Sequence, residues 1–300
     1  MIRTHEALVR RLKELCAEQP FETGWFFKDL RSGEIADRRG EVIVPSASTR
    51  KVSILMTALR AVHRGALSLD QPVTMDAKYQ RNDSGVFQHL RPGFTITFQD
   101  ALTMMIIVSD NTCTGTVADL LGLDDINEFC RSAGMAGTTH RMGLPPMLDP
   151  LGQRYQSGPT GVGGMNATTP RDVALLLELI LQGAAGVPAA ARLGSTPELC
   201  RLAIDILSRQ VHNSRLPALL PTGTKIAHKT GTGPSVVNDV GIIFEQDRPL
   251  FILTVYTGGV PSAMPNGAPG RTAASHHIAR MSRACWDELR AGGAPRYTGS

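Results

Sequence analysis

Aromatic residues are scarce in this 300-residue chain, at 5% of the total, so the stacking platforms that grip single-stranded nucleic acid have little raw material. A one-sided charge is also missing. Lys and Arg number 31 against 27 Asp and Glu, and the +4 excess is not clustered, which argues against a polyanionic partner. No stretch approaches the ~20 consecutive apolar residues of a membrane span. The most apolar run, Ala101 to Val108, is short and interrupted by Thr103. The first residues, Met1 to Glu6, lead into an amphipathic stretch with no apolar signal core, so a cytoplasmic location is expected. Five cysteines (Cys16, Cys113, Cys130, Cys200 and Cys285) are widely spaced, odd in number and without a CxxC pair. That excludes a disulfide framework and a cysteine zinc site, and buried reduced thiols are expected instead. Repeats and low-complexity linkers are absent too. What remains is an ordinary globular composition, 42% hydrophobic and 19% charged, long enough for one large domain or two lobes.

Leu8, Leu12 and Leu15 predict an amphipathic helix over residues 5–17. Gly24 to Leu30 reads as a strand, and a turn at Arg31-Ser32-Gly33-Glu34 leads to a second strand near Glu41 to Val44. A long helix, apolar on more than one face and therefore buried, is expected from about 48 to 65. Thr97 with Asp100 caps the apolar helix that follows. Helices are predicted over 113–121 and 124–133. Residues 134–167, with eight glycines and four prolines, form a long irregular loop, and loops of that length are usually functional. Thr169-Pro170-Arg171-Asp172 and Thr196-Pro197-Glu198 each open a helix by threonine cap and first-turn proline. Beyond residue 224 the pattern changes to β-branched runs at Ile226 to Lys229, Val236 to Phe244 and Leu250 to Tyr256, and then to an amphipathic helix over 271–290. Two strands at the start and three at the end predict an α+β fold. It is one antiparallel five-stranded sheet flanked by helices, with an inserted all-helical lobe. The α/β lobe is expected over about 1–47 and 224–300 and the helical lobe over about 48–223, within a single domain.

Three short motifs sit at the junctions of these elements. Ser48-Thr49-Arg50-Lys51 places a hydroxyl and an amine one helical turn apart at a helix start. Burial can turn that amine into a base for the serine, and the helix N-terminus offers amides to a developing oxyanion. Ser109-Asp110-Asn111 puts a proton-relaying hydroxyl and an amide before another helix, although such residues also favour turns and caps for structural reasons alone. Lys229-Thr230-Gly231-Thr232-Gly233 ends a strand with groups suited to a carboxylate or carbonyl, and its glycines permit close approach of a substrate backbone. Each motif alone is weak.

Together, once each and in this order, they resemble the set that defines class A β-lactamases and penicillin-binding proteins. The resemblance runs from about residue 20 to 290. It is supported by Val108 to Thr112, by Thr168 to Asp172 and by His228 to Gly231 followed by Asn238-Asp239. It implies Ser48 as the acylated nucleophile, Lys51 as its base or proton relay, and Ser109 as the donor to the leaving nitrogen. It also implies Asn111 at the substrate amide, Lys229, Thr230, Gly231 and Thr232 around the substrate carboxylate, and an oxyanion hole from the amides of Ser48 and Thr232. Asp110 is expected to be structural. No cofactor and no metal is implied, and the expected partner is a small molecule with an amide, lactam or ester bond.

One departure stands out. Class A enzymes carry a deacylating glutamate in an E-x-x-L-N motif, yet between Arg131 and Thr169 the only acid is Asp149. Asp149 is either a replacement base or a solvated loop residue before Pro150, and Tyr155 is the other polar candidate. His228 is expected behind the sheet, His276 and His277 at the surface or in packing, and Arg271 within reach of a substrate carboxylate. The resulting expectation is a serine hydrolase. Three alternatives stand beside it: a cytoplasmic amidase or esterase turning over β-lactams poorly, a D-Ala-D-Ala carboxypeptidase, and a penicilloyl sensor that stays acylated.

Overall fold

The computed structural model describes residues 5–80, 84–143, 164–186 and 188–291. The chain opens with helix α1 (Glu6–Ala17), strands β1 (Glu22–Asp29) and β2 (Ile35–Arg38), and a two-residue strand β3 (Val44–Pro45). A 3₁₀ turn (Ala47–Arg50) runs into α2 (Lys51–His63). The hairpin of β4 (Pro72–Thr74) and β5 (Thr95–Thr97) precedes α3 (Phe98–Ile107), α4 (Asn111–Leu121) and α5 (Leu123–Ala133). Then come β6 (Ala167–Thr168), α6 (Pro170–Ala184), the short α7 (Ala189–Arg192) and α8 (Pro197–Ser208). Strands β7 (Ile226–Gly233), β8 (Val236–Glu245) and β9 (Arg248–Gly258) and helix α9 (Gly270–Ala291) complete the order.

Strands β1, β2, β7, β8 and β9 form one antiparallel sheet, as expected from the sequence, and the structure sets their order as β2-β1-β9-β8-β7. Alternation along β1 sorts its aromatics. Trp25 and Phe27 join Phe251, Leu253 and Val255 against Leu8, Leu12 and Leu15 of α1 and Ile278, Met281 and Leu289 of α9. Phe26 joins Val240, Ile242, Ile252 and Tyr256 against α2, α6 and α8 on the other face. Helices on both faces explain why β7, β8 and β9 are buried almost throughout instead of alternating with water.

The second strand lies earlier than expected. Gly33, at φ +78°, closes the turn at once, and Ile35 to Arg38 pair with Trp25 to Lys28. Of the anticipated segment only Val44 lies in a strand, and with Pro45 it pairs with Thr168 and Ala167 outside the main sheet. Proline lacks the N–H that an interior ladder position requires. The expected helix over 48–65 is divided as well, because residues 47–50 are 3₁₀ and the α-helix starts at Lys51.

Capping reads out as the sequence predicts. Thr97, Thr169 and Thr196 accept from Asp100 N, Asp172 N and Leu199 N, each of order 1 kcal/mol of helix stability. Helix α2 runs through the middle of the helical layer, and every residue from Lys51 to Leu59 is buried. Among the described residues no helix is long and apolar enough to cross a membrane.

Candidate active site

The 3₁₀ turn decides where Ser48 and Lys51 stand. With three residues per turn, positions i and i+3 eclipse each other, and the Lys51 amide donates to Ser48 O across that turn. Ala47, immediately before the serine, is held at φ +45°, and Ser109 at φ +58°. Both are non-glycine residues in the left-handed region, the kind of backbone strain that a surrounding structure imposes at functional sites. Several bonds hold the nucleophile turn. Thr49 Oγ1 donates to Ser46 O at 2.7 Å and accepts from the Tyr256 hydroxyl at 2.9 Å, while Ser46 N and Oγ both donate to Asn166 O at 3.0 Å.

The second motif closes on Lys51. Its Nζ lies 2.8 Å from Ser109 O, 3.1 Å from Ser109 Oγ and 2.9 Å from Asn111 Oδ1. Full burial holds the Lys51 ammonium well below the usual lysine range, and the nearby charges of Lys229 and Arg50 push it the same way. A neutral amine has two N–H groups, which Ser109 O and Asn111 Oδ1 satisfy. Its lone pair is then left to share a proton with the Ser109 hydroxyl. Asp110 serves structure, as expected: Oδ1 caps α4 through Cys113 N, and Oδ2 takes Val86 N and Phe87 N at 2.8 Å. Ser84 adds a further tie, with Oγ donating to Ser109 O at 2.9 Å.

The third motif lies alongside. Lys229 is fully buried, donates to Thr230 O at 2.8 Å and is pushed down by burial to about 7. Gly231 has a packing part that the sequence did not signal. A Cβ there would lie 3.0 Å from Thr49 Cγ2, 3.1 Å from Ser46 O and 3.2 Å from Ala47 Cβ. The nucleophile turn itself makes a close approach that needs glycine here. Gly231→Ala should therefore destabilise the fold by about 1–3 kcal/mol, the usual cost of overpacking, as read by urea unfolding.

Sequence reasoning missed Arg215. Its buried guanidinium donates to Gly231 O at 2.9 Å, to Asn238 O at 2.5 Å and to Thr232 Oγ1 at 2.5 Å. Arg271, the arginine singled out from the sequence, is exposed at the start of α9. His228 is buried as expected, with Nδ1 3.0 Å from Asp239 Oδ1 and Nε2 3.2 Å from Asn213 Oδ1. Asp239 also takes Leu216 N, so this pair anchors the segment that carries Arg215. His277 packs on Phe21 and bonds Thr23, while His276 is exposed.

The site is layered. Ser48 and Asn111 are partly exposed and Thr232 is exposed, whereas Lys51, Ser109, Lys229 and Thr230 are buried beneath them. Beside it, the limbs of the 134–167 loop meet at Asn166, whose Oδ1 accepts from Arg141 N at 2.7 Å and Met142 N at 3.2 Å. Asp149 and Tyr155 lie outside the described residues. No group of side chains suited to a metal ion occurs among the described residues.

A strained serine turn, a buried amine on the second motif and a basic strand edge are the arrangement of the serine acyl-transfer families, and comparison with known proteins agrees. The model of the Beta-lactamase enzyme family matches residues 7–289, and the chain belongs to that family. β-Lactamase AER-1 of Aeromonas hydrophila is 29% identical over 206 residues, covering 68% of this chain and 62% of the relative. D-Alanyl-D-alanine carboxypeptidase DacB2 of Mycobacterium tuberculosis is 30% identical over 179 residues, covering 58% and 54%. The chain thus spans little more than half the length of these two relatives. Among solved structures, a PBP-A variant in acyl-enzyme complex with penicillin G superposes with a TM-score of 0.77 at 27% identity, covering 96% of this chain and 98% of the other.

Proposed function

We propose that the protein is a serine hydrolase that opens an amide, lactam or ester bond through an acyl-enzyme on Ser48. The observation that carries this reading is the contact set of Lys51 with Ser109 and Asn111, directly after the strained serine turn. Lys51 takes the Ser48 proton as Oγ attacks the carbonyl carbon, and Ser109 passes a proton to the leaving nitrogen. Asn111 faces the acyl amide. Lys229, Thr230, Thr232 and Arg215 supply positive and hydroxyl groups for an acidic substrate. The amides of Ser48 and Thr232 hold the oxyanion. The five cysteines, all free and buried, support a reducing compartment, and the cytoplasm is proposed as the location.

Nitrocefin mixed with the protein tests the reading when absorbance and intact mass are followed together. Ring opening accompanied by a transient or lasting adduct supports acyl transfer, and neither signal at any pH between 6 and 10 contradicts it. A lasting adduct with no turnover favours the sensor reading, because the described limbs of the loop supply no carboxylate beside Ser48.

A further inference from the structure

Between the serine and the lysine of the first motif stands Arg50, 4% exposed. Its described partners are neutral. One guanidinium nitrogen donates to Gly143 O, and the other lies 3.3 Å from His140 Nδ1. The hydrogen bonds assign the imidazole tautomer. Ser53 Oγ donates to Arg50 O at 2.8 Å, so His140 Nε2–H donates to Ser53 Oγ at 2.9 Å and leaves the Nδ1 lone pair for Arg50. Burial and the Arg50 charge hold His140 well below the usual histidine range, so it stays neutral. Asn127 clamps His140 from both sides, accepting from its N and donating to its O, each at 2.8 Å. The guanidinium is therefore pinned in the interior with no carboxylate against it among the described residues.

Its charge falls on Lys51. Around that amine the titratable groups are Arg50 on its own turn, Lys229 from β7, and Asp110 and Cys113 from the start of α4. Burial pushes the Cys113 thiol far up, so it is neutral. Farther along α2, α5 brings the neutral Cys130 thiol beside Ser53, and Glu128 pairs with Arg60. The ionic groups of the other flanking helices, Asp100 on α3 and Glu198, Arg201, Asp205 and Arg209 on α8, are exposed. Arg50 thus faces Lys51 as the lasting cation, with Lys229, pushed down to about 7, adding its charge on the acid side, against one carboxylate that is held by three backbone amides.

We propose that Arg50 is a positioning residue for acyl transfer, whose pinned, unneutralised charge keeps the Lys51 amine in its proton-accepting form. The inference rests on the reading of Ser48 and Lys51 given above. In the step concerned, Ser48 Oγ bonds the carbonyl carbon and its proton goes to Lys51 Nζ. The carbonyl–nitrogen bond then breaks, and the leaving nitrogen takes a proton through Ser109. A Lys51 already carrying a proton blocks the first transfer.

The test is the pH profile of the acylation rate with penicillin G, followed by quench and intact mass. Arg50→Gln keeps a donor without the charge, Arg50→Met keeps only bulk, and Arg50→Lys keeps the charge. Removing a cation favours protonated Lys51. The acid limb should therefore move up by about one pH unit in the Gln and Met variants, with acylation about tenfold slower at pH 7 and recovering at high pH. Arg50→Lys should restore the limb. A uniform fall in rate with the limb unmoved would assign Arg50 a purely structural role and overturn the proposal. Should neither neutral variant fold, ε-carbon NMR of ¹³C-lysine-labelled wild-type protein still exposes the proposal to refutation. Lys51 should titrate well below the exposed lysines, and a Lys51 still protonated at pH 9 refutes the idea. Failure of the wild type to form an adduct at any pH would instead refute the Ser48–Lys51 reading itself.

Discussion

Lys51→Ala should slow acylation of Ser48 by about 10³–10⁴, toward the upper end of what a positioned base contributes. The amine is bonded to Ser109 and Asn111, and the backbone of Lys51 follows Ser48 by one 3₁₀ turn. Lys51→Arg separates chemistry from packing. A guanidinium retains donors for Ser109 O and Asn111 Oδ1 but does not give up its proton at working pH, so it should be nearly as inactive as alanine. Neither change should unfold the protein, because burying a lysine without a bonded carboxylate stabilises the native state little. Burst amplitude and rate from penicillin G mass shifts, with urea midpoints beside them, check both statements. A Lys51→Arg variant that acylates at the wild-type rate would show that another group is the base.

Release of the acyl group is expected to be slow, about 10²-fold or more below acylation, giving a burst of nitrocefin opening followed by a low steady rate. Hydrolysis of the ester needs a water held close to it and a base to take its proton. The described limbs of the loop contain no carboxylate, and its one acid, Asp149, has a side chain one methylene shorter than the glutamate of class A enzymes. The buried carboxylates nearby are occupied elsewhere. Asp110 holds the 84–87 segment, Asp172 accepts from Gly137 N and Thr138 Oγ1, and Asp239 holds His228 and Leu216 N. Lys51 is left as the internal base, and it must lose the proton it took during acylation first. Stopped-flow absorbance reads the two phases. Several turnovers per second without a burst would contradict the expectation and make Asp149→Asn the next variant to examine.

The parts legible in the sequence were those that local physics dictates. Threonine caps with a following proline placed α6 and α8, hydrophobic periodicity placed α1 and α9, and the β-branched runs placed β7, β8 and β9. The three motifs were legible because their residues serve neighbouring backbone geometry as well as chemistry; Asp110, for example, is both a cap and a clamp. What the sequence hid depends on tertiary packing. Arg215 bonds mainly to carbonyl oxygens, which every residue carries, so no spacing signals it. Nothing in the spacing singles out Arg50, because only the fold buries it and sets it against His140. The packing demand on Gly231 is equally hidden, because only the fold shows the Ser46 to Thr49 turn lying against it. The second strand was displaced because Gly33 closes a hairpin earlier than the run of β-branched residues suggested.

The central claim is that Ser48 carries the acyl group. Trypsin should release Ser48 on the peptide spanning residues 40–50, between Arg39 and Arg50. After exposure to penicillin G, fragmentation of that peptide should place the penicilloyl mass on Ser48, not on Ser46 or Thr49, and Ser48→Ala should show no adduct. Labelling that persists in Ser48→Ala, or that maps to another residue in the wild type, would contradict the account.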